Sequence, residues 1–492
     1  MFSFRNELSQ WRAAPLRELM AGAVATFALI PEVIAFAAVA GVDPQVGLFA
    51  SFVIGIVIAF SGGRPAMISA AAGSVALVAA PLVAQHGLPY LLAAGLLAGV
   101  IQIVFGLLRL GVLMRFVSSS VRTGFVNALA VLIFSAQLPH VLGANVASWA
   151  LLALGVALIY GLPRLRLPGL SVIPSPLLCV GVLTAAAVGF DLPVKTVADL
   201  GKLPDALPQL QWPAVALSLE TLRIIAMPAL AIAMVGLLES MMTARVVDEL
   251  TDTPSNKHRE CTGLGIANLA ASLFGGIAGC GMIGQTVGNV KYGGRGRLST
   301  LFAGVLLLVL MVLLRPWVAQ VPVVALVAVM VMVSIETFDW RSLRQLVRHP
   351  RTSSAVMLAT VAVTLATHNL AAGVGVGVLL SGVFFAFKVA GLLRVQDAQV
   401  GEVHVWTVTG QVFFASADAF LDAFDPRQVS AGKARIDVSH AHFWDITAAA
   451  ALDQAVQRLQ HHGLAVQVTG LDAHSRRLLS RVGKDADWEP AL

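Results

Sequence analysis

Residues 191–220 read DLPVKTVADLGKLPDALPQLQWPAVALSLE and form the one long polar interruption in the first 390 positions. Pro193, Pro204, Pro208 and Pro213 keep this stretch from forming a continuous helix. On either side the chain consists of apolar runs divided by short polar breaks. Before it the runs cover residues 17–39, 44–61, 64–83, 88–109, 121–138, 146–161 and 174–190. After it they cover 222–243, 257–278, 281–291, 297–318, 322–337, 353–367 and 370–388. Seven runs precede the interruption and seven follow. An odd number of crossings in each half sets two similar halves in opposite senses, the inverted-repeat plan of secondary transporters. The halves correspond in the placing of features rather than in residue identity: an acidic residue late in the first run, and a weak, interrupted third run. Several runs fall short of the roughly 20 residues that a full helical span requires.

Composition agrees. The chain has 33 basic and 27 acidic residues among 492, or 12% charged, and 57% hydrophobic residues. A soluble fold of this length needs more charge to face water. A cytosolic enzyme, a disordered regulator and a nucleic-acid binder are therefore excluded, and a polytopic membrane protein is expected. The net charge of +6 is unevenly spread. Residues 391–492 hold 9 basic and 12 acidic side chains, so the excess lies in the apolar part. With the N-terminus inside, the cytoplasmic breaks contain Arg64; Arg109, Arg115 and Arg122; Arg164 and Arg166; Arg245, Lys257 and Arg259; Lys291, Arg295 and Arg297; and Arg341, Arg344, Arg348 and Arg351. The external breaks hold Lys195, Lys202, Arg223 and Arg315. This asymmetry follows the positive-inside rule. Fourteen crossings return the chain to the inside at Lys388 and Arg394.

Residues 2–19 mix Arg5, Glu7, Arg12, Arg17 and Glu18 with Phe2, Phe4, Leu8, Trp11 and Leu16, which reads as a short interfacial helix rather than a secretory signal. From about residue 399 the texture changes. Val403, Val405 and Thr407 alternate, 434–438 reads as a buried strand, 446–459 as a helix, 464–468 as a strand and 473–482 as a helix. Strands alternating with helices predict a small α/β domain. The expected organisation is a cytoplasmic N-terminal segment over 1–16, a membrane domain over 17–390 with repeats at 17–190 and 222–390, and a cytoplasmic domain over 399–492.

Glu32, after Pro31, and Glu239 are the acidic side chains placed well inside apolar runs. A carboxylate there is costly unless it is neutralised, paired or facing water, and a carboxyl in a poorly solvated place holds its proton more tightly than in water. Both are candidates for coupling to a proton. The bland alternative is an acid that satisfies a helix terminus. The third run begins Ala66-Met67-Ile68-Ser69-Ala70-Ala71-Ala72-Gly73-Ser74, and the tenth reads Gly279-Cys280-Gly281-Met282-Ile283-Gly284-Gln285-Thr286-Val287-Gly288. Two half-helices starting here could meet near the midplane, so that free N–H groups and positive dipole ends hold an anion. Small residues also serve ordinary helix packing. No basic side chain falls at this proposed site. Gly293-Gly294-Arg295-Gly296-Arg297 lacks P-loop spacing and reads as a positive cytoplasmic turn. His86, His140 and His368 show no metal-ligand spacing, and Cys179, Cys261 and Cys280 imply no disulfide framework. No nucleophile, base and oxyanion set is present, so no enzyme and no cofactor are expected.

Three stretches resemble the sulfate permease (SulP) family, bacterial relatives of the solute carrier family 26 anion transporters. They are Pro31–Ala37 continuing to Ala40–Pro44 and Val46–Leu48; Asn256–Glu260 with Gly263–Asn268 and Phe274–Gly276; and Gly293–Arg295. The resemblance covers nearly the whole chain. It implies fourteen segments in two inverted repeats of seven. Segments 1–4 and 8–11 would form a core, and 5–7 and 12–14 a gate. Segments 3 and 10 would be half-helices facing each other across the anion. Carried over by position, the anion site lies near Ala72, Gly73 and Ser74 and near Met282, Ile283, Gly284 and Gln285. Gln285 stands where several animal members have arginine, and Ala70-Ala71-Ala72 where many relatives have Gly-Pro-Thr. Glu239 and Thr243 match positions that hold sodium in bicarbonate-carrying members, with aspartate in place of the glutamate. A third, hydroxyl ligand there matches Ile283, which has no side-chain oxygen, so a proton on Glu239 or Glu32 is favoured over sodium.

The tail resembles the sulfate transporter and anti-sigma antagonist (STAS) domain. Asp437-Val438-Ser439 and Asp445-Ile446-Thr447 fit its loop after the central strand, and Ile446 replaces the serine phosphorylated in soluble relatives. A role in dimer contacts or regulation is expected instead. Together these readings imply a homodimeric, multi-pass protein of the bacterial inner membrane. Its activity would be proton-coupled symport of a small anion by alternating access. Dicarboxylates such as fumarate or succinate, bicarbonate and sulfate are the expected substrates. A sodium-coupled bicarbonate symporter, a passive anion channel and a membrane-tethered signalling protein are the alternatives. A uracil or xanthine carrier is disfavoured by the tail and by the segment 9 motif.

Overall fold

Short polar breaks start the helices. Proline opens α1 (Pro15–Ala40) and α2 (Pro44–Ser61) and stands in the first turn of α4 (Leu88–Leu107), positions where its missing N–H costs nothing. Ser118 caps α5 (Ser119–Val141), Ser218 caps α8 (Leu219–Thr251) and Asn256 caps α9 (Lys257–Leu273) by accepting a backbone N–H. At the far end of α1, Gly41 takes a left-handed conformation (φ 74°) and its N–H closes on Ala37 and Ala38.

The remaining segments are α3 (Gly73–His86), α6 (Val146–Leu165), α7 (Ser175–Gly189), α10 (Ile283–Lys291), α11 (Arg297–Leu313), α12 (Val323–Thr337), α13 (Arg351–Thr367) and α14 (Leu370–Ala390). This computed structural model describes residues 14–111, 117–165, 175–216, 218–429 and 432–481. By length and composition, seven helical stretches are apolar and long enough to cross a membrane: α1, α2, α4, α5, α8, α14 and Val323–Arg348. The interfacial-helix reading of residues 2–19 falls mainly outside the described residues, and from Pro15 the chain already belongs to α1. The expected run 222–243 extends to a 33-residue helix because good helix formers continue past the apolar stretch. The expected run 64–83 is helical only from Gly73: a turn and strand β1 (Ser69–Ala71) precede α3. Strand β2 (Gly279–Gly281) likewise precedes α10.

Residues 191–220 are tied down. Val323 donates to Lys195 and Val197 donates to Val321, each at 2.8 Å; Gln45 donates to Lys202 and Gln211 to Leu273. The starts of α2 and α12 and the end of α9 are thus gathered by one connection. The basic residues of the other breaks are partly internal. Buried Arg64 pairs with Asp248 at 3.2 Å, and buried Arg297 donates to the carbonyls of Ala59 and Gly62. The glycine-rich turn before α11 is closed by buried Glu18, which accepts N–H bonds from Arg295, Gly296 and Ser299. Helices approach closely where glycines meet: a Cβ on Gly55 would lie 3.1 Å from the Gly304 Cα.

The chain divides into two compact units, 1–378 and 379–492. In the second, β3 (Arg394–Val400), β4 (Val403–Val412), β5 (Lys433–Phe443) and β6 (Ala465–Thr469) form a sheet in that order. Its first pair is antiparallel and the others are parallel. Helices α15 (Ala417–Asp422), α16 (Ile446–His461) and α17 (Ala473–Arg481) complete it. Trp406, Phe420, Phe424 and Phe443 fill its core. The sheet takes in 394–400, ahead of the start expected at 399. RVQDAQV lacks an apolar alternation because β3 is an edge strand exposed along nearly its whole length.

Candidate functional site

Two three-residue strands build the site. β1 and β2 pair antiparallel, with Ser69 opposite Gly281, Ala70 opposite Cys280 and Ala71 opposite Gly279. Glycine at 279 is required there, since a Cβ would collide with the backbone of Ala70. Five helices hold this buried ribbon. Asn268 of α9 accepts from the Gly279 N–H at 2.8 Å and donates to the Gly279 carbonyl and to Gln102 of α4. Ser240 of α8 accepts from the Gly281 N–H at 2.9 Å, and Ser51 of α2 from the Ala71 N–H. Thr286 of α10 accepts from the Ile68 N–H.

Each strand runs straight into a half-helix. Ala72 and Met282 stand at the helix starts in extended conformation, and neither makes a side-chain cap. The first helical bonds are Ala76 to Ala72 and Thr286 to Met282. The N–H groups of Gly73, Ser74 and Val75, and of Ile283, Gly284 and Gln285, precede them and have no helical acceptor. Two helix N-termini with free donors are thus set side by side. Gly73 is needed because a Cβ would meet Phe36 Cε1 at 2.6 Å, whereas a Cβ on Gly284 would enter open space.

Both termini face a cavity of about 560 Å³ between α1, α3, α5, α8, α10 and α12. Its walls include Ala72, Gly73, Ser74, Met282, Ile283, Gly284, Gln285, Glu32 and Glu239, so nine of the ten residues singled out in the sequence lie together. Glu239 Oε2 accepts from the Ser74 hydroxyl and from Cys280 Sγ at 3.1 Å. The Gln285 side chain lies beside the Glu32 carboxyl. Helix α1 continues through Pro31 without a break, so Glu32 does not serve as a cap for a broken helix. Thr243 is the tenth. Its hydroxyl hydrogen-bonds the carbonyls of Gly281 and Glu239, both at 2.9 Å, and it is not among the cavity walls.

Sequence reasoning missed three features of the cavity. Phe36 covers the start of α3. Glu336, near the end of α12, adds a third carboxyl, and Lys291, at the end of α10, adds a basic side chain. Lys291 is the last residue of the helix that begins at Ile283, so it brings a positive charge to the cavity wall while the two helix starts themselves carry no basic side chain. Lys291 reads in the sequence as part of a positive break, and Glu336 lies at the very end of the run 322–337, where an acid at a helix end looks like an ordinary surface charge. Among the described residues, no group of three or more His, Cys, Asp and Glu side chains is placed to hold a metal ion.

The architecture is that of a membrane transporter, and the chain belongs to the sulfate permease family. That family's sequence pattern matches residues 16–153 and 144–360, and the STAS domain pattern matches 394–488. The chain is 47% identical to the candidate sulfate transporter YbaR of Bacillus subtilis (strain 168), over 96% of this chain and 98% of that one. It is 26% identical to the bicarbonate transporter BicA of Synechocystis sp. (strain ATCC 27184 / PCC 6803 / Kazusa), over 89% of this chain and 85% of that one. The fold resembles the inward-facing murine solute carrier 26 family member A9 anion transporter. There the TM-score is 0.83 at 17% identity, over 96% of this chain and 88% of the other. The protein is therefore a multi-pass membrane anion transporter rather than an enzyme, with two inverted repeats and a C-terminal STAS domain.

Proposed function

We propose that this protein carries a small anion by proton-coupled symport, with the anion held between the N-termini of α3 and α10. One observation carries the reading: two uncapped helix starts share a cavity with the carboxyls of Glu239 and Glu32. Six N–H groups and two positive dipole ends suit an anion. Ionised carboxylates beside them oppose it, so proton binding and anion binding assist each other. That is the thermodynamic basis of symport.

A proton fits better than sodium. Sodium needs several oxygen ligands, and Ile283 offers no side-chain oxygen at the position of the third ligand. The substrate is a small oxyanion or dicarboxylate. Names of relatives bring sulfate and bicarbonate forward, and a cavity of about 560 Å³ also has room for fumarate or succinate. Alternating access would arise as segments 1–4 and 8–11 move against 5–7 and 12–14. The N-terminus and STAS domain would face the cytoplasm at the bacterial inner membrane, in a homodimer.

The test is uptake by proteoliposomes of labelled sulfate, bicarbonate and fumarate under an inward proton gradient, an inward sodium gradient or neither. Wild type is expected to respond to the proton gradient, and Glu239→Gln to lose that response. Gradient-driven uptake that persists in the variant sinks the assignment of Glu239. Uptake driven by sodium supports the alternative.

A further inference from the structure

The groups lining the cavity differ in exposure. Glu32, Ser74, Met282 and Gln285 are buried, whereas Lys291 and Glu336 are exposed. Lys291 is eight residues beyond Ile283, which puts it about 12 Å along α10 from the anion-binding terminus. Glu336 is near the end of α12 opposite to the one pinned by residues 195–197. The two are within electrostatic reach of each other, and Glu336 is within reach of Glu32. They form no ion pair among the described residues, so both charges remain available to an ion that passes.

We propose that Lys291 and Glu336 form a charge-selective entrance to the anion site, Lys291 drawing the anion in and Glu336 opposing it. Lys291 is the single cationic side chain among the described residues of the cavity wall, where three carboxyls stand. Without it, an incoming anion meets charge of its own sign along the whole path to the helix ends. With it, the anion crosses the mouth beside a positive charge and is handed to backbone donors. A divalent anion feels both terms twice as strongly as a monovalent one. The pair therefore sets how well sulfate or a dicarboxylate competes with bicarbonate for entry. This role rests on the site proposed above, but its test does not depend on which anion is carried.

Cysteine in place of Gly284 reports the field at the site, because the position is open and exposed to the cavity. Its rate of modification is measured in the full-length protein with two probes, anionic sulfonatoethyl and cationic trimethylammonioethyl methanethiosulfonate. The parent without Gly284→Cys supplies the background from the buried native cysteines. The anionic-to-cationic rate ratio is expected to fall at least about fivefold in Lys291→Gln, to stay near the parent's in Lys291→Arg, and to rise in Glu336→Gln. A ratio that ignores both residues, or moves in the same direction for both, overturns the entrance. So does a reporter that neither reagent reaches. If the ratio moves as expected while no anion is taken up by wild type, the transport reading fails and the entrance stands.

Discussion

At the residue scale, the account depends on contacts that one methyl group can break. Gly73 has no room for a Cβ, since Phe36 Cε1 would be 2.6 Å away. Gly73→Ala must displace either the ring or the start of α3, and uptake is expected to fall at least about tenfold. Core overpacking of this kind costs about 1–3 kcal/mol, and about 1.4 kcal/mol is a factor of ten. Adding Phe36→Leu makes room, so the double variant is expected to transport better than Gly73→Ala alone; a double variant no better than the single refutes the steric explanation. Residues of this kind were unevenly legible. The two small-residue stretches at the helix starts stand out in the sequence, but Gly73, Ser74 and Gln285 are assigned to the anion by the family resemblance. Phe36 does not stand out, because an aromatic ring in an apolar run looks like any other core residue until its partner is known.

At the element scale, the short ribbon β1–β2 sets the two half-helices side by side. Asn268 satisfies both the N–H and the carbonyl of Gly279 and is fully buried. Asn268→Ala leaves these groups and Gln102 Oε1 without that partner. A loss of at least about 2 kcal/mol is expected, because each orphaned buried polar group costs about 1–3 kcal/mol. Thermal unfolding of the purified protein checks this; an unchanged midpoint contradicts it. The ribbon was hidden in the sequence, since three-residue strands give no periodicity, whereas the interruption of helix at both places was visible. In the STAS domain, the Ser475 hydroxyl and N–H, with His442 nearby, hold the Asp472 carboxyl down to about 2, from an ordinary 3.8. A lowered carboxyl adds stability above its unfolded value and loses it as pH falls through the folded one. Asp472→Asn should therefore flatten the acid dependence of unfolding between about pH 4 and 2, read by circular dichroism of the full chain; an unaltered profile contradicts the assignment.

At the scale of the whole molecule, the charge pattern of the breaks predicts which ends of the helices face the cytoplasm, and the connection at 191–220 gathers three helix ends together. A cysteine at Gln209, in that connection, and one at Arg348, in a basic break, are expected to react with an impermeant thiol reagent from opposite sides of oriented vesicles. Reaction from the same side contradicts the inverted arrangement of the halves. What charge counting could not show is which basic residues act on the surface. Arg64 and Arg297 turn inward to bind carbonyls and carboxylates, while Lys291 turns toward the cavity. All three read alike as positive breaks, because their roles depend on which helix ends lie opposite.

The central claim is that backbone N–H groups at the half-helix starts hold the anion. Ile283 is the first residue of α10, and Met282 before it has φ −94° and ψ 120°, a conformation that the residue preceding a proline readily adopts. Ile283→Pro therefore removes one donor while leaving the helix start possible, and Ile283→Ala trims the side chain but keeps the donor. The decisive measurement is the equilibrium affinity of both folded variants for the anion that the uptake panel selects. A hydrogen bond to a charged group is worth about 1.5–3 kcal/mol, so Ile283→Pro should bind at least about tenfold more weakly than Ile283→Ala. Equal affinities in the two variants would contradict the account.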